Sequence, residues 1–456
     1  MKLNLNDILA IPELDAEWRG ESPPDREPVS GWSTDSRRIN AGQVFVALTG
    51  DKFDGHDFVK TAFENGARAA VVSRDWCGSE AAHYPLIAVK DTLTAYQEIA
   101  RHWRNRFNGT LVALTGSSGK TTTKEMIYSV LSQKYNVLRN IKSYNNHVGV
   151  PATLLELRDE HEIAVIEMGT SNFGEIERLS YLARPDICVL LNIGFAHLEN
   201  LKSPEGVKQA KLEICSHANP DGSVIFNADD PRLSGEVYSL KMQAGFGVGA
   251  GKDYAAQHLK CDRKGRYSFR FMGAQIHLPL PGRHNVYNAL AAAVTGVRFT
   301  LPVSDIKAGL ETLPQVQDRM QVNWTNRGII MNDVYNSNPG SCLAAMRTAA
   351  DIKIPKTGRR LAVLADMLEL GSYSKSEHEA LTVRAIENAF DELFLYGEET
   401  KHTHRAAKSA GIVSRHFASR DDLINALLKA IRREDLILVK GSRSLHMEHV
   451  IEALKP

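Results

Sequence analysis

The 456-residue chain carries almost no net charge, no long apolar run and no paired cysteines, and each absence removes a class of function. A formal charge of +1 gives no electrostatic footing for a nucleic acid or an anionic membrane surface as partner. No stretch approaches the ~18 consecutive apolar residues of a membrane span, and the opening MKLNLNDILA is too polar and too short for a secretory signal. A soluble protein without membrane insertion is expected. The five cysteines (Cys77, Cys188, Cys215, Cys261 and Cys342) are scattered without a Cys-x-x-Cys pair and read as reduced core residues. Internal repeats and low-complexity tracts are absent too. What is there is ordinary globular composition, 43% hydrophobic and 24% charged, in a chain long enough for about three domains at ~150 residues each.

One stretch stands out. Residues 115–123 read TGSSGKTTT, preceded by the strand-like run GTLVALTG and followed by apolar Met126, Ile127, Val130 and Leu131 at helical spacing. Strand, glycine loop, Lys-Thr and helix together make a phosphate cradle. Gly116 and Gly119 let the backbone approach closely, and the amides of Thr115, Ser117, Ser118 and Thr122 sit at or beside a helix N-terminus suited to an anion. Lys120 is placed to neutralise the outer phosphates, and Thr121 offers a hydroxyl to Mg²⁺. Leu114 stands where a G-x4-G-K loop would have its first glycine, so this is a shorter GxxGK form. The stretch reads as an ATP site, which makes the cytoplasm the expected location.

The rest of the chain falls into an expected α/β fold of three domains. Residues 1–90 form a small α/β unit with strand-like QVFVAL and AAVV; its Ser36 and Arg37 lie in a polar segment that, on composition, is an exposed loop. Residues 91–314 form the nucleotide-binding core, a parallel sheet in which AVIEMG and ICVLLNIG end in Glu167 and Asn192, with His197 five residues beyond the second. Ligands bind at the C-terminal ends of parallel strands, and a carboxylate and a neutral histidine there suit Mg²⁺. Lys211 lies in a helical stretch, where a lysine is ordinarily a solvated charge. Asn285 and Asn288 open an Ala-rich helix, and capping is the plainer reading of both. Residues 315–456 repeat strand, polar strand end and helix, a Rossmann-like open parallel sheet without G-x-G-x-x-G, with Arg319, Asp333 and Asn336 near a first strand end and a Gly441-Ser442-Arg443 turn near the last.

These blocks resemble the Mur ligases of peptidoglycan synthesis along essentially the whole chain. TGSSGKTTTKEM is similar to the family's ATP loop, and STDSRRINAGQVFVAL with DGHDF to its UDP-substrate domain. IEMGTSNFGEI, NIGFAHLENLKSPEGVKQAKLEI, GRHNVYNALAA, DVYNSNP, LADMLELG and VKGSR resemble further signature blocks, and several favour the branch that adds D-alanyl-D-alanine. The chain departs from the family pattern at Asn332 and Val334, which flank a matching Asp333.

The resemblance implies an ATP-dependent ligase joining D-alanyl-D-alanine to UDP-N-acetylmuramoyl-tripeptide, a cytoplasmic enzyme and a monomer. It places Lys120 and the loop amides on the β- and γ-phosphates, Thr121 and Glu167 on one Mg²⁺, and His197 near a second. Lys211 matches the position that the family carbamylates with CO₂. Asn285, Arg319 and Asp333, joined by Asn336, are implied to contact the nucleotide, and Ser36, Arg37, Asn145 and Asn146 to line the UDP-sugar peptide. The reading from a different class is a nucleotide-driven switch; a guanine-type switch would want Asn-Lys-x-Asp, and the chain contains no Asn-Lys pair.

Overall fold

The computed structural model describes residues 2–50, 53–76, 83–236, 238–249, 251–313 and 317–455. Three main sheets follow one another along the chain. The first has five strands in the order Glu17–Arg19, Leu86–Val89, Ala69–Ser73, Val44–Val46 and Trp32–Ser33, parallel except at the Glu17–Arg19 edge. QVFVAL and AAVV supply its buried central strands, as their β-branched composition requires.

The central sheet has nine strands. One of its inner strands, Thr110–Thr115, lies between Ile163–Glu167 and Ile187–Leu190. The chain builds Val137–Arg139 and Ile163–Glu167 on one side, then crosses to build Ile187–Leu190, Ser223–Asn227 and Met242–Val248 on the other. The loop after Thr115 therefore leaves the sheet where strand order reverses, the place at which an α/β sheet opens a crevice. The expected parallel sheet is only part of the observed one. Tyr254–Cys261 pairs parallel with Met242–Val248, and Arg266–Phe271 and Ala274–Pro281 then continue antiparallel. The meander delivers the chain through Gly282 (φ +98°) into helix His284–Arg298.

The third sheet has six strands in the order Gln321–Thr325, Gly328–Asn332, Leu436–Lys440, Arg360–Ala365, Glu392–Tyr396 and Val413–Phe417. Its first pair is an antiparallel hairpin, so this open sheet is parallel except at one edge. The expected boundary at residue 315 lies outside the described residues, as does Cys77. Cys188 and Cys342 are buried and Cys215 is half-buried, but Cys261 is exposed on the central meander and is no core residue. Among the described residues no helix is long and apolar enough to cross a membrane.

Helix Lys120–Leu131, which the phosphate loop feeds, is seated on the central sheet and braced from outside by His284–Arg298 and Val303–Glu311. Two glycines allow the approach. A Cβ on Gly296 would lie 2.9 Å from Val130 Cγ1, and one on Gly309 would lie 2.6 Å from Val130 Cα. Ser129 Oγ donates to the Gly309 carbonyl at 2.7 Å, closing the same contact with a hydrogen bond. Because the obstacle at Gly309 is backbone, a side chain there must displace the loop helix. Gly309→Val is expected to lose about 1–3 kcal/mol of stability, the usual range for overpacking. Calorimetric melting checks this, and an unchanged midpoint would mean the helices are not in close contact.

Candidate functional site

The glycine loop is shaped by its neighbours. A Cβ on Gly116 would stand 2.9 Å from Leu191 Cβ, and one on Gly119 would stand 2.6 Å from Asn288 Oδ1. Gly119 also has φ +84°, which a side chain would make costly. Asn192 clasps the loop: Ser118 N donates to its Oδ1 at 2.9 Å, and its Nδ2 donates to the Ser118 carbonyl at 3.0 Å. The helix that follows has no side-chain cap, so its first amides remain available to a ligand. Lys120 Nζ donates to the Gly116 carbonyl at 2.8 Å. The lysine opens onto a cleft, yet the protein crowded around it lowers its pKa by desolvation, against the pull of Glu167.

That cleft, about 1060 Å³, runs between the central and third sheets. Ser117 to Thr122, Asn145, Asn146, Glu167, His197, Asn285, Arg319, Asp333 and Asn336 all line it. The structure thus gathers 14 of the expected site residues from seven separate stretches of sequence. Glu167, at its strand end, is 1% exposed; its Oε1 accepts from Asn145 Nδ2 at 2.7 Å, while Oε2 is buried without a hydrogen bond. The Thr121 hydroxyl is likewise buried and unpartnered. His197 (φ +54°) stands with Nδ1 2.6 Å from Glu369 Oε2, and this neighbour holds the Glu369 carboxyl below its ordinary range. Among the described residues no three His, Cys, Asp or Glu side chains gather as a ready-made metal site. The oxygens open to a cation are those of Thr121 and Glu167, with other ligands left to whatever the cleft binds.

Lys211 does not line the cleft. It is fully buried, its ammonium nitrogen has no hydrogen-bond partner, and burial pushes its pKa well below the usual lysine value, with repulsion from Lys120 adding to the shift. Far from being a solvated helix charge, it is the reverse.

The facing wall comes from the third sheet. Arg319 lies over the Tyr335 ring at 3.8 Å, with Arg443 near the same ring at 5.7 Å. Tyr335 OH reaches across to Ser143 Oγ, and Asn338 Nδ2 donates to Ser118 Oγ at 3.2 Å, so the walls already touch. Asp333 is engaged on both oxygens, accepting from Met320 N at 3.1 Å and pairing with Lys440, which also donates to the Asn336 carbonyl at 2.8 Å. The capping reading of Asn285 and Asn288 fails. Asn285 Nδ2 donates to Pro281 O at 2.7 Å and Asn288 Nδ2 to Asn285 Oδ1 at 3.0 Å, while the helix N-cap is Arg283. Beside them, desolvation pushes the His284 imidazole down to about 4 and keeps it neutral.

Besides Lys211, four expected residues stand outside the cleft lining. Thr115 is buried behind the loop with its hydroxyl on the Met168 carbonyl at 2.8 Å, and Gly116 packs beside it. Ser36 is buried, and Arg37, with its side chain 84% exposed, pairs with Asp35. Sequence reasoning missed Lys440, Tyr335, Asn338 and Glu369. Their signals were present, since each lies at or just after a strand end, but only the assembled sheet shows that those ends face the phosphate loop.

Comparison with known proteins follows the same three-part division. Residues 28–104 match the family model described as Mur ligase family, catalytic domain; residues 114–296 match the Mur ligase middle domain, and 318–443 the Mur ligase glutamate ligase domain. The chain is 36% identical over 437 residues to the UDP-N-acetylmuramoyl-tripeptide–D-alanyl-D-alanine ligase of Bacillus subtilis (strain 168), covering 93% of each. A crystal structure of MurF from Acinetobacter baumannii matches with TM-score 0.89 and 29% identity, covering 100% of this chain and 99% of that one. The MurF ligase of Thermotoga maritima in complex with ADP matches with TM-score 0.81 and 29% identity, covering 93% and 97%. With the relative's match running nearly end to end and three family domains in order, the chain belongs to the Mur ligase family.

Proposed function

We propose that this protein is the ATP-dependent ligase that joins D-alanyl-D-alanine to UDP-N-acetylmuramoyl-tripeptide, releasing ADP and phosphate. The observation that carries the reading is the cleft itself: a glycine loop with free helix amides, the Thr121 hydroxyl and a Glu167 Oε2 that accepts no hydrogen bond faces a second polar wall from another sheet. The end-to-end likeness to tripeptide ligases narrows the chemistry to amide formation. In this reading the domains are residues 1–90 for the UDP-substrate, 91–314 for ATP and 315–456 for the amine. The protein acts as a cytoplasmic monomer on small molecules, with neither nucleic acid nor membrane as partner.

The chemistry follows from charge. A peptide carboxylate attacks the γ-phosphorus of ATP and ADP leaves; the amine of D-alanyl-D-alanine then attacks the acyl phosphate, forming the amide, expelling phosphate and giving up a proton. Two anions must meet in the first step, and the Lys120 ammonium with the loop amides reduces their repulsion. Ser117, Ser118, Gly119 and Thr122 frame the phosphates; Asn285, Arg319, Asp333 and Asn336 hold the rest of the nucleotide. Arg319 is the most available of these, since Asp333 is already paired. Asn146, whose Oδ1 is taken by the Gly149 amide at 2.9 Å, presents its amide nitrogen for the peptide. Asn145 reaches it through Glu167, and Ser36 and Arg37 serve the UDP-sugar end. Contacts across the cleft, Tyr335 with Ser143 and Asn338 with Ser118, belong to a closed state that keeps water from the acyl phosphate.

The donor set fits Mg²⁺, a hard cation that favours oxygen. Thr121 and Glu167 would hold one ion and His197 a second, and bound there the metal supplies charge neutralisation for the phosphoryl group. Lys211 fits as a carbamate. A partnerless buried amine is costly as a cation, and its lowered pKa leaves neutral amine to add CO₂, forming an N–C bond and releasing one proton. The product is a carboxylate-like ligand in place of a repelling ammonium.

Phosphate release should require both UDP-N-acetylmuramoyl-tripeptide and D-alanyl-D-alanine, with a UDP-linked pentapeptide seen by mass. ATP hydrolysis indifferent to both would sink the ligase reading. Lys120→Ala is expected to lower kcat by roughly 10²–10³, the scale for removing one transition-state donor, while leaving the melting temperature near that of the parent. ¹³CO₂ should give a carbamate ¹³C signal that disappears in Lys211→Arg. Because protonation removes the reacting amine, that signal should weaken as pH falls; a signal equally strong in the arginine variant would exclude Lys211.

A further inference from the structure

One buried lysine beside the cleft has no part in the chemistry above. Lys124 lies one helical turn after Lys120 and is 0% exposed. Its Nζ donates to the Asn140 carbonyl at 2.7 Å and to the Lys142 carbonyl, and lies 3.4 Å from Glu125 Oε1 and 3.8 Å from Glu167 Oε2. An ammonium offers three donors and no acceptor, and here they turn to the start of segment 140–146 and to Glu167.

Asn140 completes the knot. Its Oδ1 accepts from the Glu167 amide at 3.0 Å, and its Nδ2 donates to the carbonyls of Glu167 at 3.0 Å and Tyr144 at 2.8 Å. The segment so folded has three outputs, all in the cleft. Asn145 holds Glu167 Oε1, Asn146 stands in the lining, and Ser143 receives Tyr335 from the opposite wall. The fit is tight, since a Cβ on Gly169 would fall 2.8 Å from the Asn145 side chain.

We infer that Lys124 is a positioning residue, which ties the phosphate-loop helix to segment 140–146 and so sets Asn145, Glu167 and Ser143 together. The inference rests on the ligase reading for its kinetic consequences. Lys124 touches no substrate; it acts through Asn145 and the segment. The phosphate end and the peptide end of the cleft are thereby built on one buried charge. Segment 140–146 has no regular secondary structure of its own, so without the ammonium its carbonyls would lose the partner that curls them inward.

The test combines kinetics with hydrogen exchange. Lys124→Met keeps the length of the side chain and removes its donors. Its KM for UDP-N-acetylmuramoyl-tripeptide should rise roughly tenfold or more, the scale on which supporting partners of a site act, with KM for ATP moving much less. Amide exchange should quicken in 140–146 and stay unchanged in the third sheet. In Lys124→Met/Asn145→Ala the loss should be no greater than in the more impaired single variant, because one residue acts through the other. If the methionine variant fails to fold, Lys124→Gln, which keeps one donor nitrogen, carries the same measurements with smaller shifts. Unchanged exchange in 140–146, or losses that multiply in the double variant, would overturn the inference. Should the parent enzyme form no amide at all, the ligase reading falls, and the exchange experiment still decides whether Lys124 shapes the segment.

Discussion

A single carboxylate, Glu167, sits almost out of reach of water among three lysines, and the architecture of the cleft depends on that imbalance. Lys120, Lys124 and Lys211 each feel Glu167 electrostatically, and each is pushed below the ordinary lysine range by burial that Glu167, helped by Glu125 at Lys124 and by Glu213 and Glu175 at Lys211, only partly offsets. Placing several like charges in a desolvated region costs several kcal/mol per unpaired ion. The fold accepts this beside a phosphate loop, where Lys120 faces the cleft and a bound anion's charge sets against it. Lys124 is satisfied by backbone carbonyls, Lys120 has one carbonyl and an open cleft, and Lys211 has nothing. The three form a series from structural to chemical.

How much of this was legible in the sequence depended on distance along the chain. The phosphate loop was readable because its strand, glycines, lysine and helix are contiguous, and each glycine has the local reason the motif implies. The Rossmann-like rhythm of the third sheet was equally plain. The antiparallel meander of residues 254–281 was not, since its strands alternate too irregularly to announce their pairing partners. Asn285 and Asn288 show how a local rule is overridden. Both have the composition of capping residues, but a strand end at Pro281 and the close approach of Gly119 recruit them for other work.

The facing wall was the least legible part. Asp333 and Lys440 are 107 positions apart and meet because their strands are neighbours in the sheet. Nothing in either local sequence names the other. Lys211 is the opposite case, a residue whose sequence context argued for solvent and whose burial argues for chemistry. A helical lysine is solvated by default, and only packing from several elements reverses that default.

The two walls of the cleft stand on different sheets, and this separates what the protein must keep from what it is free to vary. The phosphate wall is pinned by nine strands and by helices in backbone contact, so most changes there disturb the fold as well as the site. The opposite wall is made of strand ends and turns on a smaller sheet, whose tips can be rewritten while its layers stay intact. A change at those tips can therefore leave the packing of the phosphate wall in place. A single chain thus joins a wall that resists alteration to one that tolerates it.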